Sequence, residues 1–127
     1  MTVINDPTVV AEVTALYLKY EEALCSNNIE VMDNLFWDAP EVVRFGLTEN
    51  LYGSEEIRNF RASRPNPKIE REMLNLKVVT FGSDTATVTL EFRRIMNGIE
   101  RFGRQSQTWY RFSNGWKVVS AHVSLLP

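Results

Sequence analysis

The second half of this sequence is divided into four long strand patterns by three short breaks. The strand patterns, rich in Val, Thr, Ile and aromatic residues, cover 69–81, 85–96, 100–112 and 116–125. The breaks are Gly82-Ser83-Asp84, Asn97-Gly98 and Ser113-Asn114-Gly115. Breaks this short, with Gly or Asn, join neighbouring antiparallel strands as hairpins. The pattern therefore predicts an antiparallel meander, with strands long enough to twist and curl into a concave sheet.

The first half is predicted to be mostly helical. Asp6 and Pro7 mark a helix start, because Asp caps a helix N-terminus and Pro is tolerated at the first helical position. Apolar residues then recur three or four positions apart, which marks one buried face: Val10, Val13, Tyr17, Tyr20 and Leu24. Further predicted elements are a helix at 29–36, a short strand at 41–45 and a helix at 54–63. This order predicts an α+β fold, in which N-terminal helices pack on a strongly curved antiparallel sheet and leave a pocket at one end.

Length and charge restrict the class of protein. A chain of 127 residues predicts a single domain, 1–127. Its 14 basic and 16 acidic residues give a net charge of -2, which argues against nucleic acid as a partner. No apolar run approaches the roughly 20 residues that span a bilayer. The start MTVINDPTVV lacks signal-peptide features, and the single Cys25 has no internal disulfide partner, so we expect a cytoplasmic protein without membrane contact.

Two residues present open alternatives. Arg44 lies in the short apolar strand, so it either points outward or pairs with Glu41 or Glu49, or it points into the pocket as a free cation. In the pocket its planar guanidinium could bind a carboxylate through two parallel hydrogen bonds. Tyr20 lies on the apolar face of the first helix. Its ring either belongs to the core alone, or its hydroxyl also reaches the mouth of the pocket.

Four further residues are candidates for ligand binding: His122, Gln107, Arg93 and Trp37. Alternation does not decide which side of the sheet the strand residues face, because both faces of the last two strands have a mixed composition. His122 is either a cavity residue or a buried histidine bonded to a backbone carbonyl. One of Arg93 and Arg94, which lie on opposite faces, should supply a second cation to the concave side. Trp37 belongs to the rim or the core. One histidine without a ligand cluster gives no basis for a metal site.

Several separated stretches resemble one known family. The element order and the ending GWKVVSAHVS resemble the NTF2-like superfamily, whose fold is a cone. Within it, the AtzH-like family, with its HpxZ type of oxalurate catabolism, is similar over nearly the whole chain. The stretches that carry this resemblance are LFWDAPEVVRFGLTENLYG, IRNFRASRP, EFRR, GRQSQTWYRF and GW…AHVS.

The resemblance also implies a function. Family members appear beside amide hydrolases of oxalurate or cyanuric-acid breakdown, and one associated activity is decarboxylation of 1,3-dicarboxyurea to allophanate. It therefore implies a cofactor-independent decarboxylase that acts on a small anionic, urea-like ligand in purine or s-triazine nitrogen catabolism. The catalytic pair that it implies is Tyr20, as proton donor, with Arg44 beside it. The alternative is a non-catalytic accessory protein that binds a pathway metabolite or an amidohydrolase partner.

Two further expectations concern the surface and a competing chemistry. The outer face of the sheet carries aromatic residues, such as Trp109 or Tyr110, and a patch of this kind predicts a homodimer through the convex face. An isomerase of the ketosteroid type would need a carboxylate base in the cavity. The nearest candidates, Asp33 and Asp38, fall on a helix or the loop after it, which weakens that alternative.

Overall fold

The computed structural model describes residues 1–64 and 68–127, and within these ranges helices precede a six-stranded sheet. The elements are α1 Pro7–Ser26, α2 Ile29–Leu35, β1 Val43–Phe45, β2 Asn50–Tyr52, α3 Gly53–Ser63, β3 Arg71–Phe81, β4 Thr85–Met96, β5 Ile99–Phe112 and β6 Gly115–Leu125. The α+β prediction is confirmed. None of the helices in the described ranges has the length and apolar character needed to cross a bilayer.

Helix α1 begins and ends where the sequence predicts. The Asp6 carboxylate accepts the backbone N–H of Thr8 at 2.9 Å, and Pro7 occupies the first turn. At the other end Asn27 adopts a left-handed conformation with φ of 57°, and its N–H bonds back to carbonyls of the last turn. Both ends therefore satisfy backbone groups that a helix leaves without partners.

The buried face of α1 differs from the prediction by one residue. Val9, not Val10, belongs to the core. At 100° per residue Val9 and Val10 lie on opposite edges of this face, and the fold buries the edge that carries Val9. The other predicted members are all buried: Val13, Tyr17, Tyr20 and Leu24.

The four long strands form the predicted meander, with antiparallel pairing from β3 through β6. The full order is β2-β1-β6-β5-β4-β3. Strand β1 pairs parallel to β6, so the sheet is mixed rather than purely antiparallel as predicted. The parallel pair arises because β1 enters the sheet from the helical half of the chain and not through a hairpin with its neighbour. Strand β2, which pairs with β1, was not among the predicted elements.

The core lies between α1 and the concave face of the sheet. Strand alternation places one set of β4 residues on this face, and all of them are buried: Ala86, Val88, Leu90 and Phe92. On β5 the inward set is Gly103, Gln105, Gln107 and Trp109. A Cβ at Gly103 would lie 2.3 Å from the Phe92 ring, so the close approach of β5 to Phe92 requires glycine. The inward face of β5 is thereby settled.

A β-bulge at Val119 decides which residues of β6 face inward, because the pairing with β5 shifts by one residue there. Trp116 and Val118, before the bulge, are buried, and so is Ala121 after it. His122, which unbroken alternation would place beside Trp116, is instead exposed. The alternative of a buried histidine is therefore wrong.

Candidate functional site

A cavity of about 270 Å³ opens between α1, β1, α3 and the long strands. Part of its wall is apolar: Leu24, Phe45, Phe60, Ile69 and Phe92. Four arginines also line it: Arg44, Arg64, Arg71 and Arg94. Sites for drug-sized ligands begin at about 300 Å³, so this volume suits a small metabolite. The arginines make an anionic one the natural occupant.

Arg71 is held in a buried hydrogen-bond network. Its Nε and Nη2 donate to both carboxylate oxygens of Glu21, at 2.7 and 2.5 Å. Nη2 also donates to Gln105 Oε1 at 3.1 Å and to the Tyr17 hydroxyl oxygen at 3.3 Å. The Tyr17 hydroxyl in turn donates to Glu21 at 2.8 Å and accepts from Gln105 at 2.9 Å. Of these four residues from α1, β3 and β5, Arg71 and Gln105 line the cavity, and Tyr17 and Glu21 hold them from behind.

The charges in this network are fixed by its contacts. Burial opposes ionisation of Glu21, but the hydrogen bonds and charge of Arg71 outweigh it and hold the pKa of Glu21 below its ordinary value. Burial, and then the charge of Glu21, raise the pKa of Tyr17 far above its ordinary value. The same two causes raise the pKa of Cys25, whose thiol contacts Glu21 at 3.6 Å. Tyr17 and Cys25 therefore keep their protons and are poor candidates for chemistry.

Arg44 combines the two sequence alternatives, because it pairs with Glu49 and yet faces the cavity. Its Nη1 donates to Glu49 Oε1 at 3.0 Å, and both residues line the cavity. The guanidinium carbon lies 5.6 Å from the centre of the Phe60 ring. A Cβ at Gly46 would lie 1.6 Å from Glu49 Oε1, so the carboxylate of Glu49 folds over Gly46 to reach Arg44. The pair is charged and faces the cavity.

Arg64 and Arg94 line the cavity without a carboxylate partner in the described ranges. The Nε atom of each is buried and has no hydrogen-bond partner there. The Arg64 guanidinium lies 5.1 Å from the centre of the Phe60 ring. Burial and then the charge of Arg44 lower the pKa of Arg64, while burial, then Arg71 and Arg64, lower the pKa of Arg94. The largest charge effect on each residue comes from another cation, and at Arg64 the charge of Glu49 partly offsets it.

Tyr20 also satisfies both of its alternatives. Its ring packs in the core against Tyr17 and Phe36, each at a centroid distance of 5.9 Å, and the residue is 3% exposed. It nevertheless lines the cavity. Its hydroxyl forms no hydrogen bond with any residue in 1–64 or 68–127, and it is not among the buried polar atoms sealed without a partner. The hydroxyl is therefore available to a ligand.

Two of the predicted ligand-binding residues lie outside the cavity lining. Arg93 faces the other side of β4, 38% exposed, and pairs with Glu72 and Glu100. Because Ala86 to Phe92 point inward on the even positions, the cavity cation of this pair is Arg94. Trp37 stacks on Phe112 at 5.3 Å instead of reaching the cavity.

The other two predicted residues remain at the cavity. Gln107 is buried in its wall, where its Oε1 accepts the indole N–H of Trp109 at 3.0 Å. His122 borders both the cavity and a polar groove on the opposite face, with its ring edge-to-face against Phe45 at 5.8 Å. The structure thus brings Tyr20, Arg44 and Gln107 together, with His122 at the border.

Two cavity arginines, Arg64 and Arg71, were not among the residues suggested by the sequence, and a third, Arg94, was the open alternative to Arg93. Arg94 could have been selected by extending the apolar alternation of β4 through Phe92. Arg64 and Arg71 offered no local signal, because Arg64 follows a helix end and Arg71 begins a strand with mixed burial. Only the folded arrangement of α3, β3 and β4 brings them to one cavity.

Each carboxylate considered as a base in or near the cavity forms an ion pair with an arginine. Asp33 pairs with Arg61 at 2.6 Å and Asp38 with Arg58 at 2.8 Å, and neither residue lines the cavity. Glu49, which does, is paired with Arg44. No group of three or more His, Cys, Asp or Glu side chains in the described ranges is placed to hold a metal ion. Among the described residues that line the cavity, none is an unpaired carboxylate of the kind that an isomerase would use as a base.

Comparison with known proteins gives a consistent result. The AtzH-like family model matches residues 2–127. A protein of unknown function from Pectobacterium atrosepticum is 45% identical, with a TM-score of 0.92 over 98% of this chain and 95% of that one. A cystatin-like fold protein from Burkholderia xenovorans is also 45% identical, with a TM-score of 0.91 over 100% of both chains. An NTF2-like superfamily protein from Salmonella enterica, 22% identical, covers 95% of this chain and 93% of its own, with a TM-score of 0.79, and shows the shared fold. None of the curated proteins matches.

Proposed function

The chain belongs to the AtzH-like family of NTF2-like proteins, and from that premise we propose that it is a cofactor-independent decarboxylase of an N-carboxylated urea or a similar small anion. The observation that carries the proposal is the pairing of an available hydroxyl with cations in one small cavity. Tyr20 offers the hydroxyl, and Arg44 offers a cation beside Phe60. A pathway of purine, oxalurate or s-triazine nitrogen catabolism would supply such a substrate.

The proposed reaction needs only these groups. Tyr20 donates its hydroxyl proton to the nitrogen that carries the carboxylate. The bond from that nitrogen to the carboxyl carbon breaks, its electron pair stays on nitrogen, and the carbon leaves as CO₂. The Tyr20 phenolate then recovers a proton from water. Because nitrogen retains the electron pair and is protonated, a general acid is the principal requirement. Arg44 orients the carboxylate or the adjoining urea oxygen through its planar fork.

The shape of the cavity supports an enzyme over an accessory protein. An accessory protein would be favoured by a cavity filled by Trp37 or Phe102. Trp37 packs on Phe112, and Phe102 is 43% exposed on the outer side of β5, so neither fills it. A non-catalytic protein that binds a metabolite or an amidohydrolase remains the outcome if turnover is absent.

The test compares two tyrosines one helical turn apart. Tyr20→Phe keeps the ring but removes the donor, so turnover should fall about 100-fold or more, the usual scale for a lost general acid. Its stability should change by at most about 1 kcal/mol. Tyr17→Phe is the matched control, because the Tyr17 hydroxyl is held by Glu21 and Gln105. It should lower stability and leave most of the turnover.

The measurement is bicarbonate release from freshly prepared N-carboxylated urea, corrected for the spontaneous reaction without protein. Thermal melts verify that each variant is folded. Near-wild-type turnover by a folded Tyr20→Phe protein would remove Tyr20 as the donor. Absence of turnover by the wild type would favour the accessory protein.

We also propose that the protein is a cytoplasmic homodimer. The outer face of the sheet exposes large apolar residues on neighbouring strands: Ile95, Phe102 and Tyr110. Trp109, the other residue suggested for this face, is fully buried on the inner side. Monomers rarely leave such a patch uncovered, and a two-fold contact between sheets would cover it. Sedimentation at micromolar concentration should give twice the monomer mass, and a monomer there would contradict the proposal.

A further inference from the structure

The outer face of the sheet carries two opposite charges that do not pair with each other. Glu91 on β4 and Arg104 on β5 stand directly opposite in the antiparallel register, and both are exposed. Opposite charges at such positions ordinarily attract across the strands. Here Glu91 accepts from the Asn75 amide on one side at 2.7 Å, and Arg104 Nε donates to Ser124 Oγ on the other at 3.1 Å. Neither charge has an ion-pair partner within the described residues.

A polar groove of about 440 Å³ contains both charges. Hydroxyl side chains line it beside them: Thr89, Ser106 and Ser124. Asn75 reaches Glu91 from a β-bulge of β3, where it adopts a left-handed conformation with φ of 53°. The two terminal nitrogens of Arg104 donate to no side chain in the described part of the molecule. The groove therefore presents an anion and a cation, each with capacity for a further partner.

Exposed apolar residues lie at both ends of the same face. Ile95 and Phe102 lie toward one end of β4 and β5, and Phe81 and Tyr110 lie toward the other end of the sheet. A small molecule in the groove would leave these side chains uncovered. A protein surface would cover the groove and both ends together. The face therefore fits a macromolecular partner better than a small ligand.

A second copy of this chain supplies the complementary charges by symmetry. In a two-fold contact, residue i meets residue j of the partner, and residue j meets residue i. A two-fold axis parallel to the strands, between β4 and β5, sets each outward residue of β4 against the β5 residue that is its neighbour in the register. Glu91 then faces the partner's Arg104, and Arg104 faces the partner's Glu91. An axis across the strands at the same level would instead set like charges against each other, which is unfavourable.

We infer that the two copies join through this groove, with Glu91 and Arg104 forming two reciprocal ion pairs about an axis parallel to β4 and β5. The inference rests on the proposed homodimer and adds its orientation and its charged contacts. Thr89 and Ser106 are also opposite each other, so the same axis sets each against the other residue of the partner. The polar centre fixes the register of the two sheets, and the apolar ends of the face add buried area.

The test reverses one charge at a time. In an Arg104→Glu homodimer two carboxylates meet at each of the two contacts, and in a Glu91→Arg homodimer two guanidiniums meet there. Each variant should raise the dissociation constant of the dimer by about 100-fold or more, because like charges are brought together twice. Carrying both changes in one chain restores opposite charges and should return the constant to within about tenfold of the wild type. Sedimentation equilibrium measures all four proteins.

Mixing the two single variants gives the sharpest measurement. A heterodimer of one Arg104→Glu copy with one Glu91→Arg copy has opposite charges at both contacts. It should therefore form although neither variant associates with itself, and native mass spectrometry separates it from both homodimers by mass. A misfolded variant would not give this result. Arg58→Glu on α3 is the matched control, since it makes the same charge change on the helical side of the molecule and should leave the dimer unchanged.

Two results would overturn the inference: single variants that dimerise as tightly as the wild type, or monomeric single variants that form no heterodimer when mixed. Either result would leave the groove to another occupant, such as a small zwitterion. Failure of the proposed homodimer has a different signature, because the wild type itself would then sediment as a monomer at micromolar concentration. Decarboxylation enters none of these measurements, so a protein without turnover would still test the contact.

Discussion

Arg71 and Arg94 stand directly opposite each other on β3 and β4, and both line the cavity. They nevertheless have different surroundings. Arg71 donates to Glu21, Tyr17 and Gln105, and the charge of Glu21 raises its pKa against the effect of burial. Arg94 has no such partner within the described ranges, and burial and the charge of Arg71 lower its pKa. The same residue type, on adjacent strands of one cavity, is neutralised in one case and has no carboxylate partner among the described residues in the other.

Tyr17 and Tyr20 on α1 show the same contrast. The Tyr17 hydroxyl is held by three side chains, whereas that of Tyr20 has no partner in the described part of the chain. Burial therefore does not distinguish the two tyrosines, since both lie in the core. What distinguishes them is whether the hydroxyl already forms hydrogen bonds within the described residues.

The largest expected effect on the free energy of unfolding comes from breaking the buried ion pair between Glu21 and Arg71. Glu21→Ala leaves the Arg71 charge buried without a partner, since the Arg71 side chain is only 3% exposed. Loss of one partner of a buried ion pair lowers the free energy of unfolding by about 3 kcal/mol. Urea denaturation at neutral pH measures this. Glu49→Ala, at the more open Arg44 pair, should lower it by about 1 kcal/mol or less. Equal losses of unfolding free energy in the two variants would mean that the Glu21–Arg71 and Glu49–Arg44 pairs contribute equally to stability.

The pH dependence of that loss has a definite sign. Contacts with Arg71 hold the pKa of Glu21 below its ordinary value of 4.5. A carboxylate with a lowered pKa in the folded state contributes its full stability above the unfolded pKa and loses it as pH falls through the folded one. The stability gap between wild type and Glu21→Ala should therefore be constant at neutral pH and narrow below about 4.5. A gap that widens on acidification would contradict the ion-pair interpretation.

A smaller effect, on ligand affinity, is expected at Arg44, which could exchange Glu49 for the carboxylate of a ligand. In Glu49→Gln, Arg44 keeps a hydrogen-bond acceptor nearby, and the competing negative charge on the cavity wall is removed. A small dicarboxylate such as glutarate should bind about twofold to fivefold more tightly, an electrostatic gain of the size seen for partly exposed pairs. Titration calorimetry at low and high salt measures it, and the gain should shrink with salt. Weaker binding would show that Glu49 positions Arg44 for the ligand instead of competing with it.

The smallest effect on the free energy of unfolding is expected at Arg94, and it tests the comparison with Arg71 directly. Arg94→Gln should leave the free energy of unfolding unchanged or raise it by up to about 0.5 kcal/mol, because it removes a charge repelled by Arg71 and Arg64. Arg71→Gln, directly across the two strands, should lower it by about 3 kcal/mol because it leaves Glu21 buried without its partner. Thermal and urea denaturation of both variants checks the pair. A comparable loss in both would show that Arg94 has a structural role.

Most of the fold could be predicted from the sequence because its signals are local. Turn residues and alternation gave β4 its observed ends, and the Asp6 cap with Pro7 gave the start of α1. The mixed character of the sheet could not be obtained in this way. The parallel pairing of β1 with β6 joins segments far apart in the chain, and no local pattern specifies it.

The candidate site was only partly predictable, and two particular failures show why. Alternation could not place His122, because a single inserted residue, Val119, reverses the alternation of β6, and a bulge of this kind has no marker in the sequence. Arg93 was preferred to Arg94 although the apolar residues of β4 point with Arg94. The alternation of β4 therefore indicates that Arg94, and not Arg93, lies on the concave side.

The sequence alone determined that this protein has amphipathic helices followed by a hairpin sheet, because periodicity and turn chemistry act over a few residues. Which arginines line the cavity was decided by the tertiary structure. Arg44, Arg64, Arg71 and Arg94 come from four elements and meet at one cavity only after the sheet has formed around α1. Glu21 then neutralises Arg71 across fifty positions of sequence and leaves Arg94 uncompensated. Whether a charge is compensated depends on distances in space, which the order of residues does not contain.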